Sequence, residues 1–425
     1  MPSFQDLGLP VPLCQSLRSA GLSEPFPIQT ACIPDILDGH CVLGQAPTGS
    51  GKTFAFGLPL LARLSGAPSR PGHPRGLVLA PTRELALQIA ERLDPLAASL
   101  GLRCLCVVGG VAVSRHRRSF AAPVDVLIAT PGRTLDLQRQ GILALDAVEI
   151  SVLDEADLLV DHGFLRHVRK ILRATPHSAQ RILFSATLDG EIAGLVEEFL
   201  PEHHRHDAPV QVTDVPAMTH YALEVESPEE RDRTLRAIAG RRGRTLIFLP
   251  TRARVRRLVE DLHAHGITAI AYEGSQTYRQ RTEALDALRS GRSSVLVTTD
   301  ISARGLDVPD VSLVVHAGPP RDPKAYVHRA GRTARAGASG TVVTLILPGE
   351  KKHAKEILRE AGVRVQWRVI THRSTELITI TGARPSRPSR PSRTREPQRR
   401  AHRCTHKRRS TGGRPRTGKD GHTAR

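Results

Sequence analysis

The chain has 425 residues, 40% of them apolar, and a net charge of +19. At ~150 residues per domain that length suits two domains and an extension. No stretch approaches the ~18 consecutive apolar residues of a membrane span, and the opening M-P-S-F-Q-D-L-G-L-P lacks the charged start and apolar core of a secretory signal. The cysteines at 14, 32, 41, 104, 106 and 404 show no C-x-x-C spacing, which argues for reduced thiols and a cytoplasmic location. Cys104 and Cys106, two apart in an apolar run, are expected on one face of a strand.

Along the chain, short apolar, β-branched runs alternate with longer amphipathic stretches, the mark of βαβ units and a parallel sheet. The first series of strand candidates is Cys41–Leu43, Leu77–Leu79, Val124–Ile128, Ile150–Leu153 and Ile182–Phe184. A polar, Pro-containing stretch near Asp207–Ala217 reads as a linker. The second series is Leu246–Leu249, Thr268–Tyr272, Val295–Val297, Leu313–Val315 and Val342–Ile346. The expected organisation is therefore α/β, with one domain over residues 1–207 and a second over 218–372. From Ala383 to Arg425 there are 15 Lys or Arg against 2 Asp or Glu, a net of +13. That segment carries R-P-S-R-P-S-R-P-S-R and cannot bury enough apolar surface to fold alone, so a disordered basic tail is expected. Polar clusters follow nearly every strand candidate, at the end where open α/β sheets bind ligands.

The first such cluster is A-P-T-G-S-G-K-T at 46–53, ahead of a helical pattern at Phe54–Leu64. Gly49 and Gly51 let backbone N–H groups turn inward around phosphate oxygens at a helix start, with Thr48 and Ser50 between and before them. Lys52 reaches the β- and γ-phosphates and Thr53 offers its hydroxyl to Mg²⁺. Ala46 stands where the general phosphate-loop pattern has glycine. A second cluster, V-L-D-E-A-D at 152–157, ends an apolar strand in carboxylates. Asp154 is placed to hold Mg²⁺ through water, and Glu155 to orient and deprotonate an attacking water.

With D-E-A-D at 154–157 the chain resembles the DEAD-box RNA helicases, from Phe4 to about Arg368. The resemblance implies two tandem RecA-like parallel-sheet domains that close together on ATP and RNA. It assigns G-L-S-E-P-F-P-I-Q at 21–29 to adenine reading, with Gln29 on the base edge and Phe4 stacked on the ring. It assigns Pro81, Thr82, Arg83, Gly110, Thr130 and Arg133 to RNA, contacting the sugar-phosphate backbone rather than the bases. Ser185 and Thr187 of S-A-T look like the element coupling hydrolysis to strand separation, by hydroxyl bonds to Asp157. In the second domain, Thr251, Arg252 and Thr299 are implied RNA contacts and Asp307 a ribose contact. Y-V-H-R-A-G-R-T-A-R at 326–335 implies Arg332 and Arg335 as arginine fingers and His328 as a bridge to Asp157 or to the S-A-T turn.

The departures from the family pattern cluster. Glu273, Ser275 and Tyr278 stand where His, Asp and Gln are usual, while Arg281 is retained; Pro250 replaces an asparagine before Thr251. Two activities are therefore expected: RNA-stimulated ATP hydrolysis with local duplex unwinding or remodelling, or alternatively an ATP-dependent RNA clamp that unwinds weakly. The basic tail should tether RNA through its phosphates. Deleting residues 383–425 is expected to weaken RNA binding at low salt and flatten its salt dependence, at about −0.7 in log–log slope per phosphate neutralised on single strands. Saturated ATP hydrolysis should survive the deletion, and an unchanged salt slope would show that the tail does not touch RNA.

Overall fold

The computed structural model describes residues 2–46, 50–188, 190–207, 218–300, 308, 310–334 and 339–384. Thr48, Gly49, Asp307 and Arg335 lie outside the described residues, as do the linker at 208–217 and the tail from 385 onward.

The first half builds one sheet from β1 (Val42–Gln45), β2 (Gly76–Leu79), β3 (Cys104–Val107), β4 (Val126–Ala129), β5 (Ile150–Leu153), β6 (Gln180–Ser185) and β7 (His204–Asp207). Their order in space is β3-β4-β2-β5-β6-β1-β7, and every pairing is parallel. Alternate residues of β1 to β6 enter two separate cores. Val42, Val78, Val152 and Ile182 face one; Leu43, Leu77, Leu153 and Leu183 face the other. Helices cover both faces, which is why these strands read as unbroken apolar runs.

The second half repeats the plan with β8 (Met218–Glu224), β9 (Arg244–Phe248), β10 (Ala269–Tyr272), β11 (Val295–Thr298), β12 (Val311–His316), β13 (Gly340–Ile346) and β14 (Val365–Val369). The order is β10-β11-β9-β12-β13-β8-β14, again parallel throughout. Ile247, Val295, Val315 and Val343 face one core, and Leu246, Leu296, Val314 and Val342 the other. These are the two tandem parallel sheets that the resemblance implies. The second core extends beyond residue 372: Leu377 and Ala383 are buried in it.

Each strand expected from sequence is present, with ends shifted by a few residues. Cys104 and Cys106 do lie in a strand and pack against the same core. Strands β7, β8 and β14 are additional. β7 reads H-R-H-D, and as an edge strand it needs no apolar face; His204 and His206 both pair with Asp35, at 2.9 and 2.7 Å.

Close strand-to-strand packing makes Gly44 in β1 obligatory. A Cβ there would lie 2.3 Å from the ring of Phe184, which is itself fully buried. Gly44→Ala is expected to destabilise the protein by about 1–3 kcal/mol, as over-packing of a dense core does. A thermal midpoint equal to that of the parent would contradict this packing.

Candidate active site

The loop after β1 meets the helix Lys52–Leu64 at Gly51, whose φ is +89°. A side chain there would be strained, and its Cβ would lie 2.5 Å from Gln29 Nε2 and 2.9 Å from the Phe26 ring. Gln29 fills that space with its amide: Nε2 donates to the Gly51 carbonyl at 3.0 Å, and Oε1 accepts from the Phe26 N–H at 2.9 Å. A glutamine amide carries a second N–H and further acceptor lone pairs beyond these two bonds. Phe4, expected to stack on a base, is only 4% exposed and belongs to the core. The aromatic open to solvent beside Gly51 is Phe26, 52% exposed, which sequence reasoning passed over.

Lys52 and Thr53 begin that helix, and both are buried, as is Ala46. The Lys52 ammonium lies 3.3 Å from Glu155 Oε1. Glu155 occupies a left-handed backbone conformation, φ 51°, between β5 and the helix Ala156–Asp161. Such a conformation costs about 1–3 kcal/mol for a residue with a Cβ and clusters at functional sites. The bend is what sends the Glu155 carboxylate toward Lys52, while its N–H bonds to Asp154 Oδ1 at 3.0 Å.

The neighbouring carboxylates are driven apart in acidity. Burial pushes Asp154 up to about 7, with Lys52 pulling it back and Glu155 adding repulsion. Glu155 shifts down: burial opposes its charge, but Lys52, Arg332 and His328 together outweigh burial. Lys52 stays charged for the matching reason, because Glu155, Asp154 and Asp157 outweigh its burial. Two adjacent acids with opposed shifts are the arrangement that divides acid, base and ligand roles.

Two of the cations come from the second sheet. Arg332 is 4% exposed and its Nε donates to the His328 carbonyl at 3.1 Å. His328, on the helix Pro323–Ala330, puts Nε2 3.6 Å from Asp157 Oδ2. Of the two partners expected for His328, Asp157 is the one at ion-pair distance. A bridge from Ser185 to Asp157 is not made: the Ser185 hydroxyl donates to the Thr187 carbonyl at 2.6 Å, within its own turn.

The residues expected at RNA converge on one surface in the first half. The Arg83 guanidinium lies over Gly109 and Gly110, where a Cβ on Gly110 would meet Nη1 at 2.6 Å. Arg133 Nη1 donates to the Val111 carbonyl, one residue on, at 2.9 Å. Pro81 and Thr130 are buried beside them. Thr82 spends its hydroxyl on a helix cap, accepting from Leu85 N at 3.2 Å, and Thr251 does the same with Arg254 N at 3.3 Å. Arg252 is exposed and Thr299 is buried just beyond β11.

The departures at 273–281 are occupied by a local network. Glu273, 2% exposed, accepts from Arg256 Nη2 at 2.9 Å and from Ser275 Oγ at 3.0 Å. Arg281 keeps a contact that no sequence pattern announced, a 2.6 Å ion pair with the largely buried Glu84 of the first half.

A family model described as DEAD/DEAH box helicase matches residues 26–195, and one described as helicase conserved C-terminal domain matches 230–337. The chain belongs to the DEAD-box helicase family. It is 37% identical over 360 residues to the DEAD-box ATP-dependent RNA helicase CshA of Bacillus cereus, spanning 84% of this chain and 68% of that protein. It is 38% identical over 370 residues to the ATP-dependent RNA helicase SrmB of Haemophilus influenzae, spanning 84% of each. Among solved structures, S. cerevisiae Dbp5 bound to RNA and ADP BeF3 is similar at a TM-score of 0.78 and 27% identity, over 87% of this chain and 96% of that one.

Gln29 braces the turn at Gly51, and the family resemblance expects it to face the nucleotide as well. Gln29→Ala is expected to raise the KM for ATP by about 2- to 10-fold, the loss of one or two buried hydrogen bonds. It should also narrow the preference for ATP over GTP. An unchanged KM for ATP would show that the Gly51 brace is idle in nucleotide binding.

Proposed function

We propose that the chain is an ATP-dependent RNA helicase, which hydrolyses ATP when RNA is bound and thereby separates short RNA duplexes or remodels RNA–protein complexes. One observation carries this reading: the buried cluster of Lys52, Asp154 and Glu155 in the first half feels the charge of His328 and Arg332 from the second. A catalytic pocket completed by both sheets can couple the state of a γ-phosphate to a strand lying across both.

Residues 1–207 form the ATP-binding domain in this reading and 218–372 the second domain, with its packing continued to Ala383. Lys52 binds the β- and γ-phosphates, with Thr48, Gly49, Ser50 and Gly51 supplying loop N–H groups. Glu155, held ionised, takes the proton of the attacking water. Arg332 and Arg335 offset the charge that grows on the γ-phosphate, and Asp307 binds ribose. Asp157, Ser185, Thr187 and His328 carry the coupling. Arg83, Gly110, Arg133, Arg252 and their neighbours grip the RNA backbone, where the 2′-hydroxyl discriminates against DNA.

Thr53 and Asp154 would hold Mg²⁺. The buried Asp154 carboxylate is short of positive charge and Glu155 Oε2 accepts no hydrogen bond, so the donor set fits a divalent cation. Among the described residues no group of three or more His, Cys, Asp or Glu side chains could hold a metal. A magnesium ion held by one carboxylate, waters and phosphates needs no such group. When bound, it would neutralise charge on the phosphate oxygens.

No helix among the described residues is long and apolar enough to cross a membrane. Cys14, Cys32, Cys41, Cys104 and Cys106 are all free, which supports the proposed cytoplasmic location.

The reading is tested by ATP hydrolysis with single-stranded RNA or DNA, alongside displacement of a short RNA duplex. RNA should stimulate hydrolysis and DNA should not, and displacement should require ATP. Equal stimulation by DNA would overturn the assignment to RNA. Glu155→Gln is expected to lower turnover by about 10²- to 10⁴-fold, the usual worth of a general base, while nucleotide binding persists. Parental turnover in that variant would remove Glu155 from the chemistry.

A further inference from the structure

The helix Pro323–Ala330 carries a cation in a place where helices disfavour one. Asp322 caps its start, accepting from Ala325 N at 2.7 Å, and Lys324 follows two residues later, at the positive end of the helix dipole. Its ammonium reaches across to the first half. Nζ lies 3.7 Å from Asp157 Oδ2 and 3.8 Å from Asp161 Oδ1.

Those two carboxylates are four residues apart on the helix Ala156–Asp161, so they share a face and repel each other. Asp157 is fully buried, and neither of its oxygens accepts a well-formed hydrogen bond among the described residues. Burial and the charge of Glu155 push its carboxyl up, while Lys324 and Lys52 pull it back. A buried carboxylate of this kind is costly unless a cation pairs with it. His328 is one partner, at 3.6 Å. Lys324, reaching across from the second half, is the other.

We propose that Lys324 is a closing latch: its ammonium, pairing with Asp157 and Asp161, holds the second half against the D-E-A-D helix and so keeps Arg332 and His328 over the nucleotide pocket. It is a positioning residue that acts through Asp157, and its value to the enzyme lies in the equilibrium between separated and closed halves. RNA binds across both halves, so a weaker latch lowers the apparent affinity for RNA by the fraction of closed protein lost. The chemical step, once RNA saturates the enzyme, proceeds from the same closed arrangement. This inference rests on the helicase reading.

The experiment uses full-length protein and follows RNA-stimulated ATP hydrolysis against RNA concentration. Lys324→Glu sets a third carboxylate against Asp157 and Asp161. It is expected to raise the KM for RNA about fivefold or more, in the range of ordinary coupling between sites, with kcat at saturating RNA within about twofold of the parent. Adding Asp161→Lys to that variant restores an opposite-charge pair and should recover most of the lost affinity. Thermal midpoints show that each variant is folded. If Lys324→Glu does not fold, Lys324→Met replaces it, with an expected rise in KM of about threefold. A parental KM for RNA in a folded Lys324 variant overturns the latch. So does a folded Lys324→Glu whose defect the Asp161→Lys change fails to relieve. Absence of RNA-stimulated hydrolysis in the parent protein would instead overturn the helicase reading itself.

Discussion

The Lys52 ammonium and the Glu155 carboxylate meet at 3.3 Å with both side chains almost wholly buried. Asp154 and Asp157 sit beside them, 2% and 0% exposed. Removing so many charges from water is expensive, and their mutual attraction repays the cost only when the signs balance. Within the first half there are three carboxylates and one lysine. The balance is approached when His328, Arg332 and Lys324 arrive from the second half. Contact between the halves thus brings opposite charge to the buried carboxylates. Glu155 illustrates the link: part of what keeps it ionised is charge from Arg332 and His328.

Sheet topology puts these groups within reach of one another. All strands of each sheet run parallel, so the chain leaves every strand on the same edge. Lys52 follows β1 and Asp154 follows β5, with β6 between them in space. The sharp turns that aim the side chains are few and identifiable. Gly51 turns the loop under the Gln29 amide, and Glu155 itself takes the strained conformation that redirects β5. Farther along the same edge, Arg83 and Arg133 brace the turn at Gly109–Val111. The ion pair between Glu84 and Arg281 ties that surface to the second half. The expected nucleotide and RNA surfaces are thereby both tied to the second half.

Much of this was legible in sequence because both faces of each sheet are buried. Strands such as Ile150–Leu153 then appear as compact apolar runs, and the polar residues after them mark the ligand edge. The phosphate loop and D-E-A-D were legible because phosphate chemistry needs those residue types at close spacing. The edge strand β7 was not: H-R-H-D at 204–207 owes its pairing to β1 and to Asp35, neither of which leaves a local pattern. Phe4 looked free to stack because it stands alone among polar neighbours, yet it closes the core at the start of the chain. The ties between halves were invisible for a similar reason. Lys324 and Glu84 look like surface charges until the partner 167 or 197 residues away is in place. The departures at Glu273 and Ser275 looked like losses in sequence, and Arg256 supplies their partner in space.

The central claim is that one closed arrangement binds ATP and RNA together. The direct measurement is the equilibrium affinity for single-stranded RNA with and without a non-hydrolysable ATP analogue and Mg²⁺. Each ligand should tighten the other by the same factor, about 5- to 150-fold for an ordinary coupling between sites. RNA affinity that is identical with and without the analogue would contradict the account.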